Sequence, residues 1–264
     1  MSRRTRILTG LVVTAVLCGT YLWFFGVQTF FALEARNIAR QIPVVKKEPV
    51  ELPDLSISRA VEKKLSYFGY EFEVPWDDVD EAKSRIIGGN KAIIAFHSGN
   101  VLSVWIGSPH DFVNAVLSSG KIDRDTFRQI YGDEALQSDY SFHRIMLGTT
   151  PGQITPFIPK RQAISRSMLL LMKGISAPMG ADSGIFLVRT GDFNGFQFGR
   201  PQGSSKGFSV QLYSESCSLD FIFGQKVNGS TIISQPDVNL ILQTIHKIPS
   251  QESSADLSSK NLRD

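Results

Sequence analysis

Cysteine is nearly absent from these 264 residues: Cys18 sits in an apolar N-terminal run and Cys217 in a distant strand-like segment. No disulfide framework can form within the domain, so the fold must stand on packing, and cysteine usage leaves the redox compartment undecided. An excess of one charge is missing too. The net charge is only +3, and Lys and Arg are spread along the chain instead of gathered into a basic stripe, so nucleic acid is not an expected partner. Histidine is scarce, and His97, His110, His143 and His246 show no metal-ligand spacing such as H-x-x-x-H or H-E-x-x-H. They are expected at the surface or at helix caps, and neither a metal nor a cofactor is expected.

What is present begins with a membrane signal. From Ile7 to Leu33 the chain carries no charge, and Arg3, Arg4 and Arg6 precede it in a short basic tail, residues 1–6. About 20 apolar residues suffice to cross a bilayer, so residues 7–33 are expected to form one spanning helix with some tilt. Tyr21, Trp23, Phe24 and Phe25 lie within the run, and Phe30 and Phe31 mark its end, where aromatic rings suit an interface. A cleaved signal peptide is the rival reading, but its apolar core would be shorter and no small-x-small site precedes Ala35. The basic tail favours an N-inside orientation with an extracytoplasmic domain, in the inner membrane if the source is bacterial. Arg36, Arg40, Lys46 and Lys47 on the other flank carry a comparable charge.

After the anchor, Pro43, Pro49 and Pro53 break up residues 34–56, which are expected to be an extended stalk. Residues 249–264 have almost nothing to bury and are expected to be a disordered tail. Between them, residues 57–248 are read as one soluble α+β domain. SYFGYEFEVP alternates with a period of two, predicting one half-buried strand over 66–75 with Phe68, Tyr70, Phe72 and Val74 inward. WDDVDEAKSRI predicts a short helix capped by Asp77 or Asp78. The runs at 91–107 predict a hairpin turning at Ser98-Gly99-Asn100.

From 109 to 181 the pattern is helical and reads as an insertion; in its last helix Ile164, Met168, Leu171, Met172 and Ile175 share one face. Strands then return at 184–191, 193–201, 208–215 and 218–225 as antiparallel neighbours, followed by a helix capped by Ser234 with Pro236 and Asp237 in its first turn. The expected architecture is therefore an antiparallel sheet with helices packed on it and a helical insertion, preceded by one transmembrane helix.

The succession of GYEFEVPWDDV, a hairpin, strands ending in LDFIFG and the closing helix DVNLILQTIHKI resembles the domain of the PsbP oxygen-evolving-complex protein and its relatives. In those domains a strand of the form glycine-aromatic-polar-aromatic-x-x-proline opens the sheet, and the final helix packs across it. The resemblance covers roughly residues 66–107 and 184–248. The GYEFEVPW stretch also resembles bacterial single-pass membrane proteins, a likeness that carries no activity. PsbP-like domains are accessory or assembly factors, so the resemblance implies a binding role by analogy of fold.

Three motifs invite a catalytic reading. Arg85-Ile86-Ile87-Gly88-Gly89, His97 and Gly180-Ala181-Asp182-Ser183-Gly184 follow the order of a chymotrypsin-like protease. His97 stands too close behind Gly89 to leave room for the intervening strands, and a triad needs three groups in contact. Asp78-Val79-Asp80 has the form of a glycosyltransferase metal-nucleotide motif without a glycine-rich nucleotide fold around it. GRPQGSSKG, ending near Lys206, lies between two strands, whereas a phosphate loop joins a strand to a helix. Asn228-Gly229-Ser230 fits an N-glycosylation acceptor, and Trp76 and Trp105 are expected in the core or at a sheet edge. No catalytic, cofactor-binding or metal residue is therefore assigned. The expected function is a membrane-anchored, non-catalytic binding or assembly module with a protein or envelope partner. The alternative is a membrane-anchored enzyme, glycosyltransferase-like or hydrolytic, using the acids Asp77–Glu81 or Ser183.

Overall fold

The computed structural model describes residues 3–52, 59–119, 122–176, 184–199, 207–225 and 233–249, with side chains from Val13 onward except that of Gln225. Most of the expected tail, the Ser183 loop, residues 200–206 and Asn228-Gly229-Ser230 lie outside them.

Six α-helices are present among the described residues: α1 (Arg3–Gln41), α2 (Asp111–Ser118), α3 (Arg124–Tyr131), α4 (Asp139–Gly148), α5 (Lys160–Ser176) and α6 (Gln235–Thr244). The strands are β1 (Val50–Glu51), β2 (Lys63–Tyr67), β3 (Tyr70–Val74), β4 (Arg85–Ile87), β5 (Lys91–Ala95), β6 (Asn100–Gly107), β7 (Gly184–Thr190), β8 (Phe193–Gly199), β9 (Gly207–Tyr213), β10 (Ser218–Gln225) and β11 (His246–Lys247). An eight-stranded sheet runs β1-β7-β8-β9-β10-β6-β5-β4, and a three-stranded sheet runs β11-β3-β2.

The large sheet is the middle of three layers. Because alternate residues of a strand point to opposite faces, Phe208, Val210 and Leu212 of β9 and Leu219, Phe221 and Phe223 of β10 enter one core, beneath α6 and the small sheet. Phe196 and Phe198 of β8, with Tyr213 of β9, enter a second core under the helices α1 to α5. The α+β class thus matches expectation, but the sheet is mixed: β1 pairs parallel to β7, with Val50 opposite Phe186. Leaving the N-terminal helix, the chain covers an edge that would otherwise present unpaired backbone groups.

Several local readings are corrected. Residues 66–75 are not one strand: Phe68 (φ 56°) and Gly69 (φ 79°) turn the chain between β2 and β3. Tyr70, Phe72 and Val74 still face the core, while Phe68 packs at its margin. The short helix expected after Trp76 is replaced by turns and a bridge between Val79 and Phe96. The segment instead holds the neighbouring hairpin, with the Asp78 carboxylate accepting the Ser98 N–H at 2.6 Å and the Asp80 backbone N–H donating to the Ala95 carbonyl at 2.8 Å.

The N-terminal helix brings the largest difference. Among described side chains it is long and apolar enough, from Val13, to cross a membrane. It does not stop at Leu33 for an extended stalk, but continues to Gln41 and leads into a 3-10 turn, Pro43–Lys46. Gln28, Ala32, Ala35 and Ala39, recurring every three or four residues, are buried, and Val44 and Val45 follow them into the second core. Pro43 is tolerated because it opens the 3-10 turn, where its missing N–H would have no helical partner anyway.

Candidate functional site at the helix junction

Helix α1 lies along α5. Near one end the Phe25 and Phe157 rings meet edge to face at 5.8 Å; near the other, a Cβ built on Gly174 would lie 3.1 Å from Ile42 Cδ1. The same sequence offset joins both pairs, so the two helices run side by side in one direction. Small buried residues on each, Ala35 and Ala39 on α1 and Ala163, Ser167 and Gly174 on α5, allow a close approach.

A lysine closes the junction. Lys173 is fully buried, and its Nζ donates to the Lys47 carbonyl at 2.6 Å and to the Thr149 carbonyl at 3.0 Å. It therefore ties α5 to the chain leaving α1 and to the end of α4. Burial pushes its ammonium down to about 8, with Glu48 opposing the shift. Beside it lies an open cleft of about 470 Å³ lined by Arg36, Arg40, Lys46, Glu48, Thr150 and Gly152, among others. Three cations against one carboxylate make it a place where an anionic group is attracted.

The shared face expected on α5 points largely outward. Met168 is 44 % exposed, Leu171 46 % and Ile175 83 %, whereas Ser165, Ser167, Lys173 and Gly174 are buried. Apolar spacing identifies a helix face but not its direction. Here the inward side combines Leu169 and Leu170 with the small residues that let α1 approach. Ala163, Ser167, Leu170 and Gly174, at spacings of four, three and four, were the signal available.

Of the residues singled out for catalysis, the structure brings Asp78, Asp80 and His97 together, the His97 backbone N–H donating to the Asp78 carbonyl at 2.9 Å. Gly88 (φ 62°) and Gly89 (φ 76°) make the tight turn between β4 and β5. His97, 68 % exposed along its side chain, stands 3.7 Å from Asp80, which Lys83 engages directly and holds below the usual carboxylate range. Ser183 and Lys206 lie outside the described residues. His143 is buried with Nδ1 against the Asp139 carbonyl at 2.7 Å, and burial lowers its pKa. His246 lies 3.2 Å from Glu71, and His110 precedes α2. Among the described residues no group of three His, Cys, Asp or Glu could hold a metal ion.

Trp76 packs in the core against Phe96 at 5.0 Å. Trp105 does not: it is 41 % exposed, beneath the Lys91 ammonium at 4.2 Å, on a part of the large sheet where Ile222 is also exposed.

No family model, no curated protein and no solved structure matches the chain. The functional reading therefore rests on the geometry of the junction.

Proposed function

We propose that the protein is a single-pass membrane-anchored, non-catalytic binding or assembly module, which carries its partner surface at a set height and orientation on the bilayer. The observation behind this reading is the continuity of α1 with the domain: Ala32, Ala35 and Ala39 are buried in the second core, so no flexible stalk separates anchor from domain. The part of the apolar run free to cross the membrane is then residues 7–27, about 31 Å of helix at about 1.5 Å per residue, close to the thickness of a hydrocarbon core.

The partner surface in this reading is the exposed row Met168, Leu171 and Ile175 on α5, beside the anchor. An apolar row of that length facing outward fits a protein partner presenting a helix or groove. The PsbP resemblance, with its implied accessory role, points the same way, and the basic N-terminal tail favours an extracytoplasmic domain.

The test has two parts. The full chain should resist alkaline carbonate extraction of membranes, and its release without detergent would overturn the anchor. Solubilised in mild detergent from its own membranes, it should run as a larger assembly that Leu171→Glu with Ile175→Glu dissolves while membrane retention is unchanged. A wild-type particle no larger than the bare chain would overturn the binding role.

A further inference from the structure

The loop before α5 projects an aromatic side chain next to the helix read as the anchor. Phe157 is 77 % exposed, yet its ring packs on Phe25, which lies inside the uncharged run Ile7–Leu33. The prong is held from both sides. Ile154 is buried in the second core, Arg166 donates to the Gln153 carbonyl at 2.8 Å, and Pro156 and Pro159 restrict the backbone around Phe157 and Ile158. Apart from that contact with Phe25, protein leaves most of the Phe157 ring uncovered beside the apolar helix.

Its surroundings favour a bilayer. The Tyr21, Phe25 and Phe157 rings follow one another at 5.5 and 5.8 Å, and the Tyr21 hydroxyl meets that of Thr29 at 3.0 Å. Tyr21 thus carries its polar tip toward the domain end, as tyrosines do at a membrane boundary. Lys160 and Arg161, both exposed, follow the prong directly. From 140 to 181 the sequence contains no Asp or Glu, while Arg144, Lys160, Arg161 and Arg166 lie within it in addition to the buried Lys173. Such a stretch suits a surface of lipid phosphates.

Resting on the anchor reading above, we propose that this loop is a second membrane contact: Phe157 enters the boundary between headgroups and acyl chains, and Lys160 and Arg161 pair with anionic lipid phosphates. With two contacts at the same leaflet, the domain is fixed in tilt as well as in height.

The experiment uses the full chain with Cys18→Ser and Cys217→Ser, reconstituted in vesicles of phosphatidylcholine mixed with phosphatidylglycerol. A spin label is placed at Phe157→Cys, or in a separate preparation at Val16→Cys, and its collisions with bilayer-dissolved oxygen and with an aqueous nickel chelate are compared. Both positions should favour oxygen, with the label at 157 shallower, about 5–10 Å into the interface. If the label at 16 is in lipid but that at 157 meets the chelate freely, the anchor stands and the loop contact is lost. Chelate access at both positions removes the anchor and the inference together. Shielding of 157 from both probes would mean that protein covers the loop, which also overturns the inference. Lys160→Glu with Arg161→Glu should shift the label at 157 toward water in the mixed vesicles and not in pure phosphatidylcholine; no shift in the mixed vesicles would overturn the pairing with phosphate.

Discussion

The Lys173 ammonium and the Lys47 carbonyl, 2.6 Å apart, join two parts of the chain separated by most of the domain's helical layer. Lys173 sits in the last turn of α5, and Lys47 follows the 3-10 turn after α1. This buried donor adds a polar tie to the apolar packing that seats α1 on the domain.

This bond has a pH signature. Burial lowers the folded-state pKa of Lys173 from 10.5 to about 8, so between these values the unfolded chain binds more protons. The stability contribution is fully present above the unfolded value and is lost as pH falls through the folded one. The rise is at most about 1.4 kcal/mol per pH unit. Thermal midpoints of the full chain in detergent at about pH 7.5 and about pH 9.5 should show wild type gaining on Lys173→Met at the higher pH. Equal gains in both proteins would contradict it.

Asp220 has the opposite sign. Burial raises its carboxyl from 3.8 to about 6, so its contribution is present below the unfolded value and lost as pH rises through the folded one. Asp220→Asn should stabilise the protein at about pH 7.5, on the order of 1–3 kcal/mol, and lose that advantage near about pH 4. Midpoints of the two proteins at both pH values check this.

Asp139 caps a helix to which it does not belong. Its carboxylate accepts the Phe112 N–H at 2.8 Å and the Val113 N–H at 2.9 Å, at the first turn of α2. Asp139→Ala leaves both donors unpaired and should cost about 1–2 kcal/mol, with Asp139→Asn costing less. Limited proteolysis should show new cleavage within 108–119, and an unchanged digest would count against the cap.

Gly174 sets the distance between α1 and the domain. A Cβ there would already stand 3.1 Å from Ile42 Cδ1 and 3.5 Å from Val45 Cγ1. Gly174→Leu should therefore push the helices apart at a cost of about 1–3 kcal/mol and open cleavage sites between Leu33 and Val50, while Gly174→Ala does far less. Protection of that segment in the leucine variant would show that the contact is not needed for docking.

Local signals were the legible ones. The Ser234 and Asp237 capping box announced α6, and Ser98-Gly99-Asn100 announced the turn between β5 and β6. The turn at Phe68-Gly69 was hidden because a two-residue turn preserves the alternation of the strands it joins, leaving one glycine as its only mark. The acids after Trp76 satisfied a helix rule, but the Ser98 N–H took the Asp78 carboxylate and the Asp80 N–H went to the Ala95 carbonyl, tying the segment to the hairpin. Of the junction almost nothing could be read, since its bonds join residues as far apart as Lys47 and Lys173. The same distance hid the direction in which α5 faces.

The pairing of β1 with β7 gives the junction a history in time. Val50 and Glu51 are made early, but their partners Phe186 and Leu187, and all of α5, come well over a hundred residues later. At roughly 5–20 residues per second, the inward side of α1 waits several seconds to tens of seconds for its cover. The alanines at 32, 35 and 39 suit that interval, because an unpaired row of methyl groups is far less adhesive than one of leucines. Seating this protein correctly is thus a late step of synthesis, and a nascent chain halted before α5 would hold a long apolar helix with no fixed orientation for the domain that follows it.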